Sequence, residues 1–156
     1  MTKGAEYSMK TKLIALSRFG LVGPRLFDAL LRQFGEVDTL LSVGAGTLGE
    51  IDGITAAMAE RVAACGRRLG EAEDYARSLA ARDIGVASRF DEKYPHRLFE
   101  LNDPPLLLLT RGRILDQTQK SVALIGADNA TGEGIEVTAK LTRLFVEAEV
   151  HFPEPS

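Results

Sequence analysis

Two glycine-bearing turns have the residue types to hold a phosphate. The first, Gly20-Leu21-Val22-Gly23-Pro24, stands directly ahead of Arg25 and a helix-forming stretch; the second is built around Gly53-Ile54-Thr55. Loop amides that lead into a helix, together with the positive end of its dipole, form an anion site that needs no base-reading side chain. Gly20, Val22, Gly23 and Arg25 carry this reading in the first turn, and Gly53 in the second, where Thr55 replaces a second glycine. A third glycine-rich segment, Gly126-Ala127-Asp128-Asn129-Ala130-Thr131-Gly132-Glu133-Gly134, satisfies neither G-x-G-x-x-G nor G-x-x-x-x-G-K-[ST]. It also lacks the phosphate-binding lysine, so a mononucleotide site is not expected there.

Catalytic chemistry has little to build on. The chain holds no H-E-x-x-H, no G-x-S-x-G and no cysteine-histidine pair with a plausible base. Glu71, Glu73 and Asp74 fall on the exposed face of an expected helix, where solvated carboxylates are the ordinary outcome. Cys65 is a lone thiol and His96 and His151 are the only histidines, which closes no disulfide and assembles no Cys/His zinc cluster. The expectation is therefore no catalytic residue, no metal and no cofactor.

The elements that must position these turns follow from periodicity. Leu13, Ile14, Leu16 and Phe19 predict an amphipathic helix over 12–19, and Leu26, Phe27, Leu30, Leu31 and Phe34 predict another over 24–34. Pro24 suits a first helical position and Gly35 a C-terminal stop. Further on, Thr55 caps a helix whose stripe runs Met58, Val62, Cys65, Leu69, Ala72, Ala76 and Leu79. Unbroken over 55–82, it would be about 42 Å long at 1.5 Å per residue, with Gly66 and Gly70 as the points of interruption. Its half-small composition predicts a core-facing seam within one subunit. At Asp83 the pattern turns extended: a strand over 84–90, a turn and short helix over 91–100, and a strand over 106–110. Ser121–Gly126 then predicts a buried strand and Glu133–Glu147 a helix, the opening of a βαβ unit, with Val150–Phe152 as the next strand. A domain boundary is expected at residues 83/84, giving a helical domain over 10–83 and an α/β part over 84–156.

The two turns, each between helices, resemble a tandem helix-hairpin-helix, which holds a DNA phosphate without reading sequence. A plain helical hairpin, or a protein-contact module like a sterile alpha motif, has the same outline. Charge leans the same way as the DNA reading. The formal net charge is −3, but residues 1–90 carry +1 and residues 91–156 carry −4. Six basic residues, Lys3, Lys10, Lys12, Arg18, Arg25 and Arg32, fall within the first 35 against Glu6 and Asp28. Composition is that of a soluble globular chain, and no apolar run approaches the ~20 residues that span a bilayer. With no apolar h-region in residues 1–12, the expected location is the cytoplasm, with no membrane partner.

Asp91-Glu92-Lys93-Tyr94-Pro95-His96-Arg97-Leu98, then Asp103-Pro104-Pro105 with Leu106–Leu109 and Gly112, then Val122-Ala123-Leu124-Ile125-Gly126, form a linked series. In order and spacing it resembles the DNA-processing protein A family (DprA, also called Smf), over about residues 12–147. That family shares D-x-x-Y-P-x-x-L, D-P-P-x-x-L and a strand leading into G-S-R-x-A-T-x-Y-G. The resemblance implies a Rossmann-like domain behind the helical one. It implies non-catalytic binding of single-stranded DNA in uptake and recombination, with the RecA recombinase or a full-length DprA-like protein as partner. It also places a DNA pocket at the glycine loop, here Gly126, Thr131 and Gly134. This chain departs from the pattern at Ala127, Asp128 and Glu133, where the family has Ser, Arg and often Tyr. A phosphate donor and a cation are lost and two anions enter, an exchange that weakens phosphate binding. The family's later S-G-x-A-x-G-I-D segment has no counterpart, so the Rossmann-like part is expected to be an incomplete start. The competing expectations are a shortened paralogue that works as a protein-interaction module, and an inactive fragment.

Overall fold

The computed structural model describes residues 6–112 and 122–148. The chain divides by packing into two units, Met1–Gly112 and Arg113–Ser156. The described residues are mixed helical with one small antiparallel sheet.

In the first unit, α1 (Met9–Ile14) starts at Ser8, whose hydroxyl accepts from the Thr11 amide at 3.2 Å. It continues as a π-helical turn, Ala15–Phe19, with the Gly20 amide bonded to the Ala15 carbonyl at 3.2 Å and Val22 to Leu16 at 3.0 Å. α2 (Pro24–Phe34) has the expected bounds, with Pro24 in its first turn and Gly35 at φ +78° ending it. Two short helices follow that periodicity does not reveal, α3 (Val37–Ser42) and α4 (Ala45–Gly49), each shorter than two turns. α5 (Ala56–Cys65) is capped by Thr55, whose Oγ1 accepts from the Met58 amide at 3.3 Å.

The stripe from Met58 to Leu79 does not form one straight helix. It is divided at Gly66 by a 3-10 turn, Gly66–Arg68, before α6 (Leu69–Ala80). A Cβ at Gly66 would stand 2.3 Å from the Leu41 carbonyl oxygen, so glycine here lets α3 come up against the break. Val62, Cys65 and Ala72 are buried in the common core, with Met58, Leu69 and Ala76 packed against it. The seam is thus internal to the subunit. Leu13, Leu16, Phe27, Leu30, Leu40 and Leu48 complete that core from four other helical segments.

β1 (Ile84–Ser88) pairs antiparallel with β2 (Leu107–Arg111), Ile84 opposite Arg111 and Ser88 opposite Leu107. β1 rests on α1 and α6, and Leu106 is a buried member of the helical core. The change of pattern at Asp83 is therefore a change of element within one packed unit. The packing break lies at Gly112/Arg113, downstream of the boundary expected at 83/84.

In the second unit α7 (Gly132–Glu147) forms as expected, with Thr131 as its N-cap. The strand expected over 121–126 does not: residues 122–126 are unpaired and Ile125 is 95% exposed. A strand exists only through its neighbour's hydrogen bonds, and the described residues of this unit contain no second strand. Ser121 and the strand expected at Val150–Phe152 lie outside the described residues. No described helix is long and apolar enough to cross a membrane.

Candidate nucleic-acid interface

The first glycine turn joins the π-helical end of α1 to α2. Gly20 has an ordinary φ of −77°, so it is required for space and not for conformation. A Cβ there would meet the Leu16 carbonyl oxygen at 2.6 Å and Cys65 Sγ at 3.0 Å. Val22 is buried, and its amide is engaged by Leu16. The left-handed residue of the turn is Leu21, at φ +53° and 65% exposed, rather than either glycine. Gly23 is the N-cap of α2 with open space around it, and it offers no side-chain oxygen to the first-turn amides.

Gly53 occupies the separate turn between α4 and α5, at φ +83°, a conformation that does call for glycine. The helix after it is closed by its own Thr55 hydroxyl. The two turns thus differ physically: the α2 end is uncapped, whereas the α5 end is already satisfied.

Arg25, expected to face phosphate, carries an acidic partner. Its Nε lies 2.5 Å from Oδ1 of Asp103, in the D-P-P segment. Gly23, Pro24, Asp103 and Pro105, with Ser17 and Val22, line one groove of about 330 Å³ beside this pair. One turn along α2, Asp28 is ion-paired with Arg89, just past β1. Residues 61 and 78 positions apart make these pairs, and no local pattern could have announced them.

The D-x-x-Y-P and D-P-P segments meet each other. Tyr94 is 1% exposed, and its hydroxyl donates to the Pro105 carbonyl at 2.8 Å. Asp91 Oδ2 accepts from the Ser88 amide at 2.8 Å and pairs with Lys10 at 3.1 Å. Burial pushes the Asp91 carboxyl up, but the Ser88 amide and Lys10 outweigh it and hold the group below its ordinary value. His96 lies in a 3-10 turn, His96–Glu100, against the ring of Phe99.

The basic bias of the N-terminal stretch is largely internal. Lys10 pairs with Asp91, Lys12 with Asp38 and Arg25 with Asp103, and Arg18 stacks 4.0 Å over the Tyr75 ring. Lys3 lies outside the described residues.

In the second unit, Thr131 Oγ1 accepts from the Gly134 amide at 3.2 Å, so both residues serve the start of α7. Glu133 stands in that first turn, favourable to the helix dipole and unfavourable to an incoming phosphate. Gly126 precedes them in an exposed loop with Asp128.

Residues 85–152 match the family model described as DNA recombination-mediator protein A. The chain is related to that family. The matched stretch contains both the D-x-x-Y-P and D-P-P segments, and it continues past the packing break into the second unit. The relationship ties this part of the chain to DNA processing in transformation and recombination. No curated protein gives a significant match.

Proposed function

We propose that the chain is a non-catalytic DNA-binding protein that acts on single-stranded DNA during uptake and recombination, in the cytoplasm. The observation that carries this is the match to DNA recombination-mediator protein A over residues 85–152, on segments that pack directly onto the glycine turn at 20–24. On this reading, α1, the turn and α2 are the working helix-hairpin-helix. The uncapped amides of α2 and Arg25 take a backbone phosphate, and the residues after Gly112 are the start of a Rossmann-like unit. The glycine loop, with Asp128 and Glu133, contributes little. The RecA recombinase or a full-length relative would be the protein partner.

The test is fluorescence anisotropy with a short labelled single-stranded oligonucleotide and the full chain at two salt concentrations. Phosphate binding releases counterions, so affinity should fall steeply with salt, and Arg25→Gln should lower the log–log slope by about 0.7. Binding that ignores salt, or a slope untouched by Arg25→Gln, would remove the hairpin from the interface.

A second reading has its own observation. Ile125, Ile135, Val137, Leu144 and Val146 are all at least half exposed in the second unit, which suits a shortened relative that pairs with another protein. It predicts a defined oligomer in sedimentation and no DNA affinity at low salt.

A further inference from the structure

Resting on the hairpin reading above, we propose that Asp103 is a built-in competitor for the phosphate: it occupies Arg25 in the free protein and must be displaced before DNA binds. The pair is short, 2.5 Å from Nε to Oδ1, yet Arg25 is 79% and Asp103 38% exposed, so a ligand can reach both. Exposed pairs of this kind are weak and readily exchanged.

The two partners are not equally free. Arg25 extends from the first turn of α2 on a flexible stem. Asp103 is followed by Pro104 and Pro105, whose φ angles are restricted, by the Pro105 carbonyl anchored on buried Tyr94, and by Leu106 in the core. The backbone thus delivers the carboxylate to the rim of the groove, and the cation comes to it. A carboxylate and a phosphate oxygen ask the same of a guanidinium, a planar pair of N–H donors. Asp103 therefore sets the threshold affinity of the hairpin for any polyanion, favouring ligands that offer several phosphates over a single free one.

The experiment measures single-stranded DNA affinity, by anisotropy at low salt, for the wild-type chain, Asp103→Asn, Arg25→Gln and the double variant. Asp103→Asn should tighten binding about two- to five-fold, the range of an exposed ion pair. The gain should vanish in the Arg25→Gln background. Asp103→Ser serves as a second variant, with thermal unfolding confirming that each protein folds. If wild type binds, Arg25→Gln weakens it and neither Asp103 variant tightens it, the competitor role is overturned while the hairpin reading stands. If no protein binds even at low salt, the hairpin reading falls and the competitor role with it.

Discussion

Gly20 and Gly23 look alike in the sequence, three positions apart in one turn, and their surroundings give them different jobs. Gly20 is boxed in by the Leu16 carbonyl and Cys65, so Gly20→Val should destabilise the fold by about 1–3 kcal/mol in chemical denaturation, through overpacking. Loss of DNA binding in that variant would report unfolding. Gly23 has open space, and Gly23→Asp would give α2 the cap it lacks. The expected result is an unchanged or slightly raised melting temperature together with weaker DNA binding, since the new carboxylate takes the first-turn amides and repels phosphate. Binding unchanged by Gly23→Asp would argue against this end of α2. Cys65 is buried, donates to the Ala15 and Arg61 carbonyls at 3.3 Å, and has its thiol pushed up from 9.0 to about 11 by burial. Its folded pKa exceeds the unfolded one, so its stabilising contribution is complete below about pH 9 and is lost as pH rises towards 11. Alkylation should be slow in the native protein and become fast on addition of denaturant.

At the scale of elements, periodicity located α2, α7 and both strands of the sheet to within two residues. It did so because α2 buries an apolar stripe, α7 carries one along its length, and the two strands pair with each other residue for residue. It could not see α3 and α4, which are too short to show a period; of the two glycines that marked points of interruption, it is Gly66 that breaks the stripe, where a carbonyl 25 positions away leaves no room for a Cβ. Over its described residues, 122–126, the expected strand does not form for the opposite reason: its composition is right, but pairing is a property of two segments. Of the candidate site, the turn itself was legible. The Asp103 partner of Arg25 was not, since the D-P-P segment could be noted as a motif without showing what it touches. The corner where β1 ends rests on Asp91, whose carboxyl is held below the ordinary value of 3.8. A depressed folded pKa adds stability above about pH 4 that is lost as pH falls through the folded value. Asp91→Asn should flatten that acid limb in denaturation measured from pH 6 to pH 2. Tyr94→Phe should cost about 1 kcal/mol by leaving the Pro105 carbonyl without its donor.

For the whole molecule, the two units differ in how they hold themselves. The first has a continuous core drawing on α1 through α6 and on Leu106, whereas α7 has no buried residue. Amide exchange should follow that division: strong protection for Leu13–Leu16, Leu30 and Val62, and protection for α7 no greater than local opening allows. Equal protection of α7 in the isolated chain would mean that its apolar side is covered. Leu106 also orders events during synthesis. It completes a core whose earliest member is Leu13, and at about 5–20 residues per second the intervening stretch takes roughly 5–20 s to make. Over that interval the nascent helices have an open seam, and Asp28 and Arg25 wait for Arg89 and Asp103, 61 and 78 residues further along the chain. The segments that carry the family match are thus the closing piece of the N-terminal unit, and a ribosome stalled before them would display helices that cannot yet settle.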